Sequence, residues 1–208
     1  MRNKKLLVST LLLLAVFVSA TWGISQSEIQ QLARLMNWKP GQVIADVGAG
    51  EGEIGFAAAE QVGASGKIYL TELDEQKLAN LKKEAEQRKL RNVAVVEAAE
   101  KKTNLPANCC DAIILRRVYH HLTAPAEMDS SLLRSLKPGG ELVVIDFPPR
   151  KSLTESDPVR GVPANRGGHG IPNKILVQEL AAAGFVAEKT IESWPDDNYL
   201  VIFRKPKH

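Results

Sequence analysis

The chain has 208 residues, a length that fits one domain with a short appendage. Hydrophobic residues make up 44% and charged residues 25%, which excludes a disordered chain and allows a sizeable core. The net charge is +3 with both signs interspersed, and no Lys/Arg stripe marks a nucleic-acid surface.

Arg2, Lys4 and Lys5 precede an apolar run from Leu6 to Ala20, broken by Ser9, Thr10 and Ser19. A basic start and an apolar run of this length read as a secretory signal, with small residues at Val18-Ser19-Ala20 for cleavage. The run is short of the ~20 apolar residues of a membrane span. Continuing it through Trp22 and Ile24 makes an uncleaved anchor the alternative. Residues 1–24 are therefore assigned as signal peptide or membrane anchor and residues 25–208 as the globular domain. The basic end stays cytoplasmic, so the domain is expected to be exported or membrane-anchored, with possible membrane association. An anchor inserted the other way would leave it on the cytoplasmic face.

Apolar residues at helical spacing predict an amphipathic helix over 25–36, capped by Ser25 or Ser27 and ended by Trp38-Lys39-Pro40-Gly41. Val43 to Asp46 suits a buried strand that ends on an acid. Gly48, Gly50 and Gly52 then make a tight turn, and a helix follows from Glu53 to Gln61. A glycine loop between a strand and a helix N-terminus lets backbone approach a ligand. Its spacing is G-x-G-x-G. The dinucleotide fingerprint needs glycine where Glu53 stands, and the Walker loop's Gly-Lys-Ser/Thr is absent. The stretch from Asp46 to Gly52 resembles instead the first motif, D-x-G-x-G-x-G, of class I S-adenosylmethionine-dependent methyltransferases.

Lys67 to Thr71 reads as the second strand, with Glu72 at its carboxyl end. An acid there can accept hydrogen bonds from both ribose hydroxyls of an adenosine, and it also reads as a solvated loop acid. Leu73 is placed to touch the adenine ring. Asp74 caps a helix over 75–89, and Val93 to Glu97 is the third strand. The family often has an acid soon after this strand, against the adenine amino group. This sequence has Ala99 in its place and Glu100 one residue later, so Glu100 is the expected substitute.

The two cysteines, Cys109 and Cys110, are adjacent, without zinc spacing, and read as small loop residues. Asp111 to Leu115 is the fourth strand. Its end carries Val118-Tyr119-His120-His121-Leu122, which resembles a V-Y-H-H-h stretch of family members. A His there can accept a proton from an attacking nucleophile, and Tyr119 can line the pocket. The same segment also reads as packing for the helix over 125–136. Lys137-Pro138-Gly139-Gly140 is a turn before a fifth strand, Glu141 to Asp146, and L-K-P-G-G is a recognisable family signature.

Residues 147–172, with five prolines and four glycines, are irregular and follow the fifth strand, so they are expected to fold over the site as a lid or to form a surface loop. Arg150, Arg160, Arg166 and His169 make that segment basic. A helix over 173–183 and two closing strands, Ala187 to Ser193 and Tyr199 to Arg204, complete the family's ending.

The resemblance covers residues 27–206. It implies an α/β, Rossmann-like doubly wound seven-stranded sheet, mostly parallel with a C-terminal antiparallel hairpin. It implies methyl transfer from the cofactor S-adenosylmethionine to a small-molecule substrate, with no nucleic acid and no metal. Asp46, Gly48, Gly50 and Gly52 would hold the methionine end, Glu72 and Leu73 the ribose and adenine, and Glu100 the adenine. Tyr119, His120 and His169 are expected around the acceptor. The competing reading is a non-catalytic cofactor-binding or scaffold protein at a membrane. A nicotinamide oxidoreductase is disfavoured by Glu53 and by the closing hairpin.

Overall fold

The computed structural model describes residues 23–150 and 160–207. Residues 1–22 of the expected leader and the middle of the expected lid, residues 151–159, lie outside the described residues. Among the described residues no helix is long and apolar enough to cross a membrane.

Seven strands form one sheet in the order β3-β2-β1-β4-β5-β7-β6. They are β1 (Val43–Val47), β2 (Lys67–Glu72), β3 (Val93–Glu97), β4 (Cys110–Arg116), β5 (Leu136–Asp146), β6 (Val186–Trp194) and β7 (Asn198–Arg204). The first five run parallel, and β7 is antiparallel to both β5 and β6. The helices are α1 (Gln26–Leu35), α2 (Glu53–Val62), α3 (Glu75–Gln87), α4 (Pro125–Ser135) and α5 (Asn173–Ala182). Both faces of the sheet are covered, as a parallel sheet requires.

Side-chain alternation along the strands builds two cores. Ile44, Ile68, Leu70, Ile114, Val143 and Ile145 pack with α1, α2 and Leu81 of α3 on one face. Ala45, Val47, Ile113, Leu115, Leu142 and Val144 pack with Leu132 of α4 and Leu176 and Leu180 of α5 on the other. Fully burying each such side chain contributes roughly 1.5–3 kcal/mol. The edge strand β6 is mostly exposed and carries Glu188, Lys189 and Glu192, charges that discourage further strand pairing.

Two expectations are corrected. Lys137 to Gly140 is not a separate turn: Cys110 faces Leu136 and Ala112 faces Glu141, so those residues loop out within β5. Cys110 is not a loop residue either. It opens β4 and is fully buried, while Cys109 stays half-buried, both at the strand end opposite the site described below.

Candidate active site

The parallel strands end side by side, and their carboxyl ends are where ligands bind in such sheets. The glycine loop leaves β1 and is tied to β2: the N–H groups of Gly48 and Ala49 donate to the Thr71 carbonyl at 2.9 and 3.0 Å. Glu72 closes β2. Its Oε1 accepts from the Gly50 N–H and its Oε2 from the Leu73 N–H, both at 2.9 Å. The Lys77 ammonium stands 3.8 Å from Oε1.

A cavity of about 500 Å³ runs across this edge from the β3 side to the β4 side. Gly50, Glu72, Leu73, Ala99 and Glu100 line it, as do Arg116, Val118, His121, Leu122 and Met128. Leu73 lies open on its rim, 56% exposed. A second hollow of about 530 Å³ shares Gly48, Gly50 and Arg116 with it and adds Gly23, Ile24, Asp46 and Glu53. A larger hollow at the amino ends of β2 and β3 lies at the wrong edge for a ligand of a parallel sheet.

Asp46 is buried, and its Oδ2 accepts from the Gly55 N–H at 3.1 Å. Burial, and less strongly Glu72, pushes its carboxyl up to about 7. Gly52 caps α2 with φ +80° and gives no side-chain cap, so the helix opens onto the loop with backbone N–H groups.

A buried ion-pair cluster fixes the β4 side. Arg116 donates through Nε and Nη2 to the two oxygens of Glu28, at 3.0 and 2.9 Å. Trp194 Nε1 donates to Glu28 Oε1 at 2.8 Å, and Asp196 accepts from Arg116 Nη2 at 3.2 Å. Glu28 is fully buried. The cluster ties α1 and the β6–β7 turn to the end of β4. Glu28 lies in the first turn of α1 and is not singled out by the sequence analysis. The available signal was its position one turn before Leu32, on the apolar face of α1.

After β4 the chain turns sharply at Arg117, φ +56°. That residue is held by Asn198 Oδ1 at 3.0 Å and by the Asp196 carbonyl at 3.1 Å. A single 3-10 turn then carries Tyr119–His121. Tyr119 does not face the cavity. It is fully buried, with its hydroxyl donating to Asp129 at 2.8 Å and lying 3.1 Å from Glu179. Burial and the two carboxylates push its phenol well above the ordinary range, so the sequence expectation of an acceptor-lining Tyr119 is replaced by a core role. The cavity is lined instead by His121, which the V-Y-H-H-L stretch names but which is not among the residues expected around the acceptor. Packing against its neighbours, followed by repulsion from His120 and His169, lowers the His121 pKa to about 4.

His120 lies behind His121, with ring centroids 3.8 Å apart, and His169 completes the group at 5.0 and 5.8 Å. Of the basic residues expected on the lid, Arg166 is also reassigned. It is buried, ion-paired with Glu179 at 2.8 Å, and its guanidinium lies over the Tyr119 ring.

A sheet in this order, with a glycine loop and a β2 acid together at one end of a cavity, is the doubly wound fold on which class I methyltransferases are built. Residues 39–179 match the family described as "Methyltransferase domain", and the chain belongs to that family. It is similar to the ubiquinone/menaquinone biosynthesis C-methyltransferase UbiE of Francisella philomiragia, 24% identical over 86% of this chain and 71% of that one. To UbiE of Escherichia fergusonii it is 30% identical, over 51% of this chain and 43% of that protein. Among solved structures, a SAM-dependent methyltransferase from Aquifex aeolicus superposes with a TM-score of 0.69 at 23% identity, covering 85% and 88% of the two chains. The [4+2]-cyclase SpnF superposes with the same TM-score at 19% identity, covering 86% and 81%. The chain is an S-adenosylmethionine-dependent methyltransferase, and S-adenosylmethionine is its cofactor.

The residues present fit that group. A Cβ on Gly50 would meet nothing within 4 Å, so the loop leaves open space beside the Glu72 carboxylate. Each Glu72 oxygen accepts one backbone bond and keeps a lone pair for a hydroxyl donor. Asp46 gives the adjoining hollow a buried carboxyl suited to an ammonium.

Proposed function

We propose that this enzyme methylates a small molecule with a hydroxylated ring, held where His121, Val118, Leu122 and Met128 line the cavity. The observation that carries this reading is the division of one cavity into two ends. Gly50, Glu72, Leu73 and Glu100 form one end, and Val118, Leu122 and Met128 with Thr123, Arg117 and the His121 imidazole form the other. The bound cofactor supplies a methyl group already activated on a sulfonium. What remains for the chain is alignment.

In this reading Glu72 accepts from the ribose hydroxyls, while Leu73 and Glu100 flank the adenine. Asp46, Gly48, Gly50 and the opening of α2 receive the amino-acid end, its carboxylate at helix N–H groups and its ammonium toward Asp46. Arg116, held by Glu28 and Asp196, stands at the boundary between the two hollows and lines both. His121 orients an acceptor hydroxyl by accepting its hydrogen bond, and His120 and His169 position His121. The relatives named as quinone C-methyltransferases support a hydroxylated ring as the acceptor class. An export signal or anchor at residues 1–24 would place the site beside or beyond a membrane, within reach of lipid-borne rings.

The test is incubation with methyl-deuterated cofactor and a panel of hydroquinones, catechols, simple amines and carboxylic acids, read by mass spectrometry. Labelled product from the hydroxylated rings alone is expected. Methylation of the amines or acids with the rings untouched would overturn the reading.

A further inference from the structure

We propose that His120, His121 and His169 form a binding site for a late first-row divalent metal ion, with zinc as the reference ion. The donor nitrogens of the three rings lie within 4.8 Å of one another. Three nitrogens about 2.0–2.1 Å from one zinc ion stand roughly 3.3 Å apart, so shifts of about an ångström close the set. Imidazoles without thiolates suit zinc, copper, iron or nickel and not magnesium or calcium.

The arrangement around His120 points the same way. Its Nδ1 lies 2.8 Å from Asp146 Oδ1, and its backbone N–H donates to Asp146 Oδ2 at 3.1 Å. Asp146 is fully buried at the end of β5. With Asp146 accepting from Nδ1–H, the ring presents a bare Nε2. That nitrogen is buried and has no hydrogen-bond partner among the described residues. Leaving a buried acceptor unpaired is costly, and a metal ion removes that cost. A carboxylate behind a histidine is also the usual outer support of a ligating imidazole.

His169 comes from a segment distant in sequence, and the backbone brings it in deliberately close. Arg150 N–H donates to the His169 carbonyl at 2.9 Å, and Ile171 N–H donates to the Phe147 carbonyl at 3.0 Å. Gly170 between them has φ +113°, and a Cβ there would stand 2.8 Å from the Phe147 carbonyl oxygen. The Phe147 ring packs against both His120 and His169, at 4.7 and 5.2 Å between centroids. This revises the sequence expectation of no metal. Three protein ligands leave a position for a fourth. His121 lines the cavity, so that fourth ligand would be an oxygen of the acceptor, which the ion would then hold in place of a hydrogen bond to the His121 nitrogen. This last statement rests on the function proposed above, whereas metal binding does not.

The test uses untagged full-length protein, stripped with a chelator and titrated with zinc against a competing indicator. Cobalt absorption is read as a second signal. About one equivalent is expected to bind, with cobalt giving the intense visible bands of a four-coordinate nitrogen site. His121→Ala and His169→Ala should each weaken binding at least about 100-fold while keeping the far-ultraviolet dichroism of the parent. Binding well below one equivalent, or parent affinity in either variant, would overturn the inference. The same stripped sample is titrated with the demethylated cofactor. Cofactor binding without zinc binding removes the metal site and leaves the enzyme reading intact.

Discussion

Replacing Glu72 by glutamine tests the cofactor end of the cavity with the smallest change in shape. Both carboxylate oxygens accept backbone N–H groups, from Gly50 and from Leu73. Glutamine has one acceptor oxygen, so its NH₂ must face one of those two donors. The Leu73 N–H is exposed and water can take it over, so the cost to stability is under about 1 kcal/mol. The ligand loses more. Two ribose hydroxyls donating to a carboxylate contribute roughly 1.5–3 kcal/mol each, and the neutral amide retains only part of one. A loss of about 3–4 kcal/mol is expected, a factor of roughly 100–1,000 in Kd. Calorimetric titration with the demethylated cofactor reads the affinity, and thermal melting reads the fold. A variant that melts like the parent and binds within about threefold of it would refute the ribose assignment.

Asp46 makes binding and stability depend on pH. Its folded pKa, about 7, is raised above the ordinary 3.8, so the protonated form is favoured by the fold. Its contribution to stability is complete below the lower value and is lost as pH rises through the upper one, by about 4 kcal/mol in all. Asp46→Asn should therefore gain stability over the parent at alkaline pH, with the difference vanishing in acid, as urea denaturation will show. Cofactor binding just below neutral pH should release a proton from the parent and none from Asp46→Asn, measured by calorimetry in buffers of different ionisation heat. Glu28→Ala strips Arg116 and the Trp194 N–H of their buried acceptor. It should cost about 3–5 kcal/mol in urea denaturation, and a loss under about 1 kcal/mol would refute the clamp. Tyr119→Phe removes the hydroxyl that donates to Asp129 and lies beside Glu179. It should lower stability by about 1–3 kcal/mol and leave kcat within a few-fold of the parent, whereas a large fall in kcat at unchanged stability would return Tyr119 to the reaction.

Local patterns made much of the fold legible. Val43 to Gly52 and Lys67 to Glu72 each concentrate a buried strand and its polar end within a few residues, so strand, loop and acid are read together. The alternation that sorts Ile113 and Leu115 from Ala112 and Ile114 is equally local. The failures lie where geometry is set from afar. Tyr119 points into the core because Arg117 turns the chain with positive φ, and Arg117 is held by Asp196 and Asn198 some eighty residues on. The order V-Y-H-H carries no sign of that rotation, so it could not tell Tyr119 from His121. Arg166 looks like any basic loop residue until Glu179, on α5, is seen to take it into the core. Glu28 was recoverable, since an acid on the buried stripe of an amphipathic helix calls for a cation.

The most direct measurement is calorimetric titration of the folded protein with S-adenosylmethionine and with its demethylated product. The account expects one site per chain, micromolar affinity for both ligands and mutual competition between them. A folded protein that binds neither ligand would contradict the assignment of the Glu72 cavity as a cofactor site.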